Sequence, residues 1–296
     1  MQAKKLQRNG TIGIFCPSHI ADMKRYDPSV SALERLGFNV KFGANVQKDT
    51  YGYAASAEER AADLNALVED DSVQMIMFGG GFGAVEILPM IDYESIRRKP
   101  KIFSSYSDGT SILNAINSQT GLVTYYGMCA TDFSDLRHYD YVQFCSHFVE
   151  GYSVVQFVSD SQWKTLHGGN CKGSLVGGHA LLFGLMLANK HFKYETDKKY
   201  LLFLEDNEKI SEIGAVCTYL TFIGQSDFMH NVVGLIFGHY SANVPDDLLH
   251  CLERFGIEHN IPIIYTDDFG HGTRHAIFPI GINAKLDADN QRMTFL

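Results

Sequence analysis

An α/β fold in two parts is what this sequence predicts, and three observations carry the prediction. Short runs such as residues 11–16 and 73–78 are apolar apart from Thr11 and Gln74, which suits strands buried on both faces of a parallel sheet. Those runs alternate with segments of helical spacing, the pattern of a sheet covered by helices on both sides. The rhythm then changes: residues 131–161 are richer in polar and aromatic side chains, and the second half of the chain is punctuated by glycine pairs. The expected architecture is an N-terminal Rossmann-like parallel sheet with flanking helices over residues 1–150, a connection at 151–165, and a smaller C-terminal α/β domain with a mixed sheet over 166–296.

The elements run in order along the chain. Residues 11–16 form a β-branched apolar strand ending at Pro17-Ser18. Residues 29–36 have helical spacing closed by Gly37, and 38–42 form the next strand. Ser56-Ala57-Glu58-Glu59 reads as a capping box that opens a helix carrying Leu64, Leu67 and Val68 inward. The strand at 73–78 runs into Gly79-Gly80-Gly81-Phe82-Gly83, and Pro89 stops the short helix after it. This turn fits the dinucleotide fingerprint poorly, because the helix is short and no acidic partner sits at the right distance. Its exposed N–H groups suit an oxyanion or a phosphate, and a tight turn needing positive φ explains the glycines equally well.

A short strand from Lys101 then meets Ser105-Tyr106-Ser107-Asp108-Gly109, with a helix from about Ser111 through Ile116 after it. The five residues match the G-x-S-x-G nucleophile elbow with Ser in place of the first Gly. A helix cap at Asp108 or Thr110, with Ser107 as a turn residue, explains the same letters. Residues 121–126 form a further strand, and Asp132, Asp135, Arg137, His138 and Asp140 fall in a loop. In the second half, glycines at 168–169, 173 and 177–178 separate short strand-like pieces, and 181–188 is a buried helix. The strand at 200–204 ends in Glu205-Asp206. After it come a helix at 210–223, a strand at 232–237 and an amphipathic helix at 246–255. The strand at 261–265 leads to Phe269-Gly270-His271-Gly272, and 276–282 closes the sheet.

Composition narrows the chemistry. Net charge is −9 with no Lys/Arg cluster, which disfavours nucleic acid or an anionic membrane as partner. No apolar run approaches the roughly 20 residues of a membrane helix, and no apolar h-region comes after the polar, basic start, so a cytoplasmic location is expected. The six cysteines lack C-x-x-C spacing, which points to free thiols in a reducing compartment. The twelve histidines are dispersed without H-E-x-x-H, so neither metal nor another cofactor is expected. An activated serine needs a base and a group that orients the base. His271 stands out as candidate base because it is flanked by glycines at a strand end, where little hides its ring. Glu205 ends a strand in the same way, with Asp206 as rival carboxylate.

Taken together, these segments resemble the LD-carboxypeptidase family of serine peptidases, which includes murein tetrapeptide carboxypeptidases and microcin C self-immunity peptidases. Gly80-Gly81-Phe82-Gly83 with Leu88-Pro89 and Asp92-Tyr93 is similar to the family's G-G-Y-G…L-P…D-Y. Tyr106-Ser107-Asp108-Gly109-Thr110 fits its Y-S-D-x-T turn, and Leu175-Val176-Gly177-Gly178-His179 its G-G-N stretch. Leu202-Phe203-Leu204-Glu205-Asp206 fits L-F-L-E-D, and Phe269-Gly270-His271 with Phe278-Pro279-Ile280-Gly281 fits F-G-H…L-P-x-G. The motifs keep the family's order over nearly the whole chain.

The resemblance implies a triad of Ser107, Glu205 and His271, an oxyanion hole from the amides of Gly81 and Asp108, and no metal. It offers Phe82, Thr110, Tyr126 and Trp163 for substrate contact and implies a homodimer. The substrate it implies is a cell-wall peptide with an L,D bond before a terminal D-amino acid. The alternatives are a peptidyl or aminoacyl nucleotide amide, as in microcin immunity, and a silent peptide-binding protein. Three departures bear on recognition: Gly79 stands where the family often has Arg, Met128 replaces a proline, and His179 replaces the asparagine of G-G-N.

Overall fold

The computed structural model describes residues 1–151 and 156–296. It divides into two compact units, Met1–Ser153 and Val154–Leu296. The connection expected at 151–165 includes residues 152–155, which lie outside the described residues.

In the first unit, β1 (Thr11–Phe15), α1 (Met23–Arg35), β2 (Asn39–Phe42), α2 (Ala57–Glu69), β3 (Val73–Phe78), α3 (Tyr93–Arg98), β4 (Ile102–Ser105), α4 (Thr110–Thr120) and β5 (Thr124–Tyr126) succeed one another. The strands lie in the order β5-β4-β3-β1-β2, every adjacent pair parallel. Strand order reverses between β1 and β3, so their C-terminal ends frame the crevice where open α/β sheets bind ligands. The expected capping box is present: Ser56 Oγ accepts from Glu59 N at 3.3 Å and Ser56 N donates to Glu59 Oε2 at 3.0 Å. Helix α1 begins six residues earlier than the sequence suggests, because Asp22 caps it at Lys24 N and Pro28 is carried inside.

The stretch read as a loop from residue 131 is corrected to a run of short helices, including α5 (His138–Phe144). Three of its phenylalanines are core residues: Phe144 packs edge-on against Phe133 and Phe148 at 5.1 and 5.5 Å.

The second unit contains β6 (Lys164–His167), β7 (Asn170–His179), α6 (Ala180–Met186), β8 (Tyr200–Glu205), α7 (Ile213–Gly224), β9 (Val232–His239), α8 (Asp246–His259), β10 (Ile263–Gly270), β11 (Phe278–Ile280), β12 (Asn283–Asp287) and β13 (Arg292–Phe295). Its mixed sheet runs β13-β12-β7-β8-β9-β10-β6, with β7 to β10 parallel and the outer strands antiparallel. The glycine-broken pieces around 170–178 are one ten-residue strand. Glycine is needed there because the neighbouring strand comes close: a Cβ at Gly173 would lie 2.7 Å from Leu201 N. The sequence places the closing strand at 276–282, whereas the β12–β13 hairpin forms that edge.

One further correction concerns cysteine. Packing α7 on α8 joins Cys217 to Cys251 in a disulfide, their Cα atoms 6.4 Å apart, while the other four cysteines are free thiols. Among the described residues, no helix is long and apolar enough to cross a membrane.

Candidate active site

The first unit supplies a strained serine. Strand β4 ends at Ser105, Tyr106 is extended, and Ser107 sits at φ +55° in a one-turn 3₁₀ helix that leads into α4. A non-glycine residue in the left-handed region costs on the order of 1–2 kcal/mol, and such strain is characteristic of a nucleophile elbow. The turn is fixed from three sides. Ser107 N donates to Tyr126 Oη at 2.9 Å, Thr110 Oγ1 donates to Ser107 O at 2.6 Å, and Gly109 N donates to Tyr106 O at 3.0 Å. Ser105 is tolerated where the motif has glycine because its hydroxyl donates to Phe78 O at 2.6 Å. That side chain occupies the space a Cβ at Gly109 would need, so the remaining glycine of the elbow is obligatory.

The glycine turn after β3 lies against this serine. A Cβ at Gly80 would stand 2.7 Å from Ser107 Cβ and 2.9 Å from Oγ. Gly81 has φ +143° and passes so close to Ser18 that a side chain would strike it. Phe82 N donates to Ser18 O at 3.2 Å, which leaves the Phe82 ring 81 % exposed. Thr110 and Tyr126 are fully buried, and both bond the serine turn.

The second unit supplies an imidazole–carboxylate pair. Glu205 ends β8 fully buried, His271 comes directly after β10, and His271 Nδ1 lies 2.7 Å from Glu205 Oε2. A carboxylate only accepts, so the Nδ1–H donates and the basic lone pair is at Nε2. Glycines make room for this pair: a Cβ at Gly270 would come within 2.9 Å of Glu205 Oε2, and one at Gly238 within 2.9 Å of Glu205 Cβ. Burial of the His271 ring opposes its charge, but the charge and hydrogen bond of Glu205, helped by Asp206, outweigh it, and the pKa is raised above 6.5.

Asp206, the rival carboxylate, follows the end of β8 and takes other partners. It accepts from Asn207 N at 2.7 Å, and its Oδ1 lies 3.6 Å from His179 Nε2. Burial raises its pKa. His179 ends β7 opposite Glu205 and meets the His271 ring edge-to-face at 5.8 Å. Trp163 is buried, and its indole N–H donates to Asp268 Oδ2 at 2.8 Å.

Sequence reasoning did not single out Ser18, Arg60 or the Tyr126 hydroxyl as supports. Arg60 lies in the same inward stripe of α2 as Leu64 and Leu67. A cation on a buried stripe is the signal that marks it.

Two family descriptions match the chain: the LD-carboxypeptidase N-terminal domain over residues 12–127 and the LD-carboxypeptidase C-terminal domain over 172–286. The chain belongs to the LD-carboxypeptidase family. As a member it is a serine-type hydrolase. A Bacillus subtilis protein named a "probable murein peptide carboxypeptidase" is 32 % identical over 96 % of this chain and 91 % of its own length. The microcin C7 self-immunity protein MccF of Escherichia coli is 25 % identical over 99 % and 94 %. Among solved structures, an MccF-like protein from Bacillus anthracis superposes with a TM-score of 0.90 at 24 % identity, covering 100 % of this chain and 99 % of that one. MccF in complex with aspartyl sulfamoyl adenosine gives 0.86 at 22 %, covering 100 % and 98 %. At these identities the structures establish a shared fold.

Proposed function

We propose that this LD-carboxypeptidase-family enzyme hydrolyses an amide that joins an amino acid or short peptide to a nucleotide-like group. The observation that carries the catalytic part is the 2.7 Å contact between His271 Nδ1 and buried Glu205. It is the second half of a relay whose nucleophile is Ser107. In this reading Ser107 Oγ attacks the carbonyl carbon and His271 Nε2 takes its proton. The amides of Gly81 and Asp108 hold the oxyanion, and Glu205 stabilises the imidazolium. The C–N bond then breaks as the proton passes to the leaving nitrogen. Water, deprotonated by His271, releases the acyl group from Ser107 as a carboxylate.

The substrate part is supported by the aspartyl sulfamoyl adenosine bound to MccF and the AMP bound to an MccF-like protein from Streptococcus pneumoniae. A second reading, cleavage of the L,D bond before a terminal D-amino acid in a murein peptide, is favoured by the Bacillus subtilis relative at 32 % identity. The deciding experiment incubates the enzyme with an aminoacyl sulfamoyl adenylate beside a murein tetrapeptide and monitors both by mass spectrometry. Turnover of the adenylate with the tetrapeptide intact is expected. Turnover of the tetrapeptide alone would transfer the function to the second reading, and turnover of neither would refute both.

A further inference from the structure

The loop after β1 and the glycine turn after β3 are held together by two buried groups of opposite character. Arg60, on α2, is 1 % exposed. Its Nη1 donates to the carbonyl of Pro17 and, at 3.1 Å, to the carbonyl of Gly83. Its Nη2 pairs with Glu86, and its Nε donates to Ser56 O at 3.3 Å. Asp108, in the nucleophile turn, is 2 % exposed. Its Oδ2 accepts from Ser18 Oγ at 2.7 Å and from Ala84 N at 2.8 Å. The guanidinium thus takes the acceptors of residues 17 and 83, and the carboxyl takes the donors of residues 18 and 84.

From this geometry we propose that Arg60 and Asp108 are positioning residues that set the distance between the Gly81 amide and Ser107. The inference rests on the serine-hydrolase reading above and adds to it. Asp108 belongs to the same one-turn helix as Ser107, so its two bonds tie the nucleophile directly to both neighbouring loops. Gly81 is the point of closest approach, since it passes Ser18 with no room for a Cβ. Any lateral slip of the glycine turn must break a bond at Ser18 or Ala84, or one at Pro17 or Gly83. The far end of the turn, at Gly83 and Ala84, and the loop at Pro17 and Ser18 are therefore fixed in register with the serine. A guanidinium is suited to its side of the clamp because one rigid fork reaches several carbonyls, which an ammonium on a flexible stem does not reproduce. Displacing a catalytic donor by about 1 Å costs on the order of 10²-fold in rate, and losing one oxyanion donor 10²–10³-fold.

The test is the rate at which a fluorophosphonate labels Ser107, a reaction whose developing phosphoryl oxygen needs the same donors. Wild type, Ser18→Ala, Asp108→Asn, Arg60→Lys and Ser107→Ala are compared, reading both the rate constant and the final number of labels per chain. Wild type is expected to reach one label per chain and Ser107→Ala none. Asp108→Asn and Arg60→Lys should reach the same end-point about 10²-fold more slowly, and Ser18→Ala, which loses one hydroxyl, about tenfold more slowly. Turnover should fall in kcat, with KM within about twofold. No labelling of wild type would refute the serine reading itself. Labelling of wild type with unchanged rates in the variants would overturn the clamp alone. So would a lower end-point at the wild-type rate, which signals loss of fold. If the charged-group variants fail to fold, Ser18→Ala decides.

Discussion

Replacing Glu205 by Gln keeps the shape of the buried pair and removes its charge, and the size of the effect can be worked from the geometry. The imidazole nitrogen and the carboxylate oxygen are 2.7 Å apart, which puts the centres of charge roughly 4 Å apart when His271 is protonated. At an effective dielectric constant near 20, that pair is worth roughly 4 kcal/mol. Losing it should lower kcat about a thousandfold, at one decade per 1.36 kcal/mol. The neutral amide can also present its NH₂ to Nδ1 and hold the ring in the wrong tautomer, which brings the expected loss to about 10⁴-fold.

The pH profile gives an independent check. His271 is raised above 6.5 because Glu205 overcomes the burial that opposes the charged ring. The base must be neutral to act, so wild-type activity rises with pH through a pKa above 6.5. In Glu205→Gln the largest opposition to burial is gone, and the acid limb should move to lower pH. Stability has the same sign. A raised folded pKa adds stability that is fully present below the unfolded value near 6.5 and is lost as pH rises through the folded value. The margin of wild type over the variant should therefore shrink across the same pH window. The measurements are kcat against pH and denaturant unfolding at matched pH values. An acid limb that stays in place, or a kcat loss below about tenfold, would refute the pairing as the source of the base's strength.

Ser107→Ala should remove activity by on the order of 10⁶ in kcat. Ser107→Gly should be equally inactive yet unfold at higher denaturant than Ser107→Ala, because only glycine sits at φ +55° without strain. Gly80→Ala places a methyl 2.7 Å from Ser107 Cβ. It should cut kcat by about 10²-fold or more with an unchanged circular dichroism spectrum. Asp206→Asn should cost about tenfold or less, since His271 bonds Glu205 rather than Asp206. Exhaustive dialysis against EDTA should leave turnover unchanged, because an activated serine supplies the nucleophile without a metal-bound water. Loss on chelation with recovery on added zinc would count against it.

How much was legible in the sequence depends on how local each signal is. The strands β3 and β8 are apolar runs whose limits can be read residue by residue, and the capping box at Ser56 is a pattern four residues long. The elbow at Ser107 and the strand-end positions of Glu205 and His271 are local too, which is why the candidate residues could be named before any fold was drawn. The hidden features are non-local. Whether Tyr126 faces solvent or the underside of a turn 19 residues away depends on β4 pairing with β5. The burial of Trp163 is equally hidden, because nothing nearby in sequence shows that Asp268, 105 residues on, takes its N–H. The cysteines on α7 and α8 are 34 residues apart, and no spacing rule joins them. The choice between Glu205 and Asp206 turns on which of two adjacent carboxylates bonds His271, 66 residues on. Departures from the family pattern are harder to read. At His179 the side chain packs edge-to-face against His271 and near Asp206, so that substitution changes the surroundings of the base itself. Its effect should appear in how activity depends on pH before it appears in which substrate is chosen.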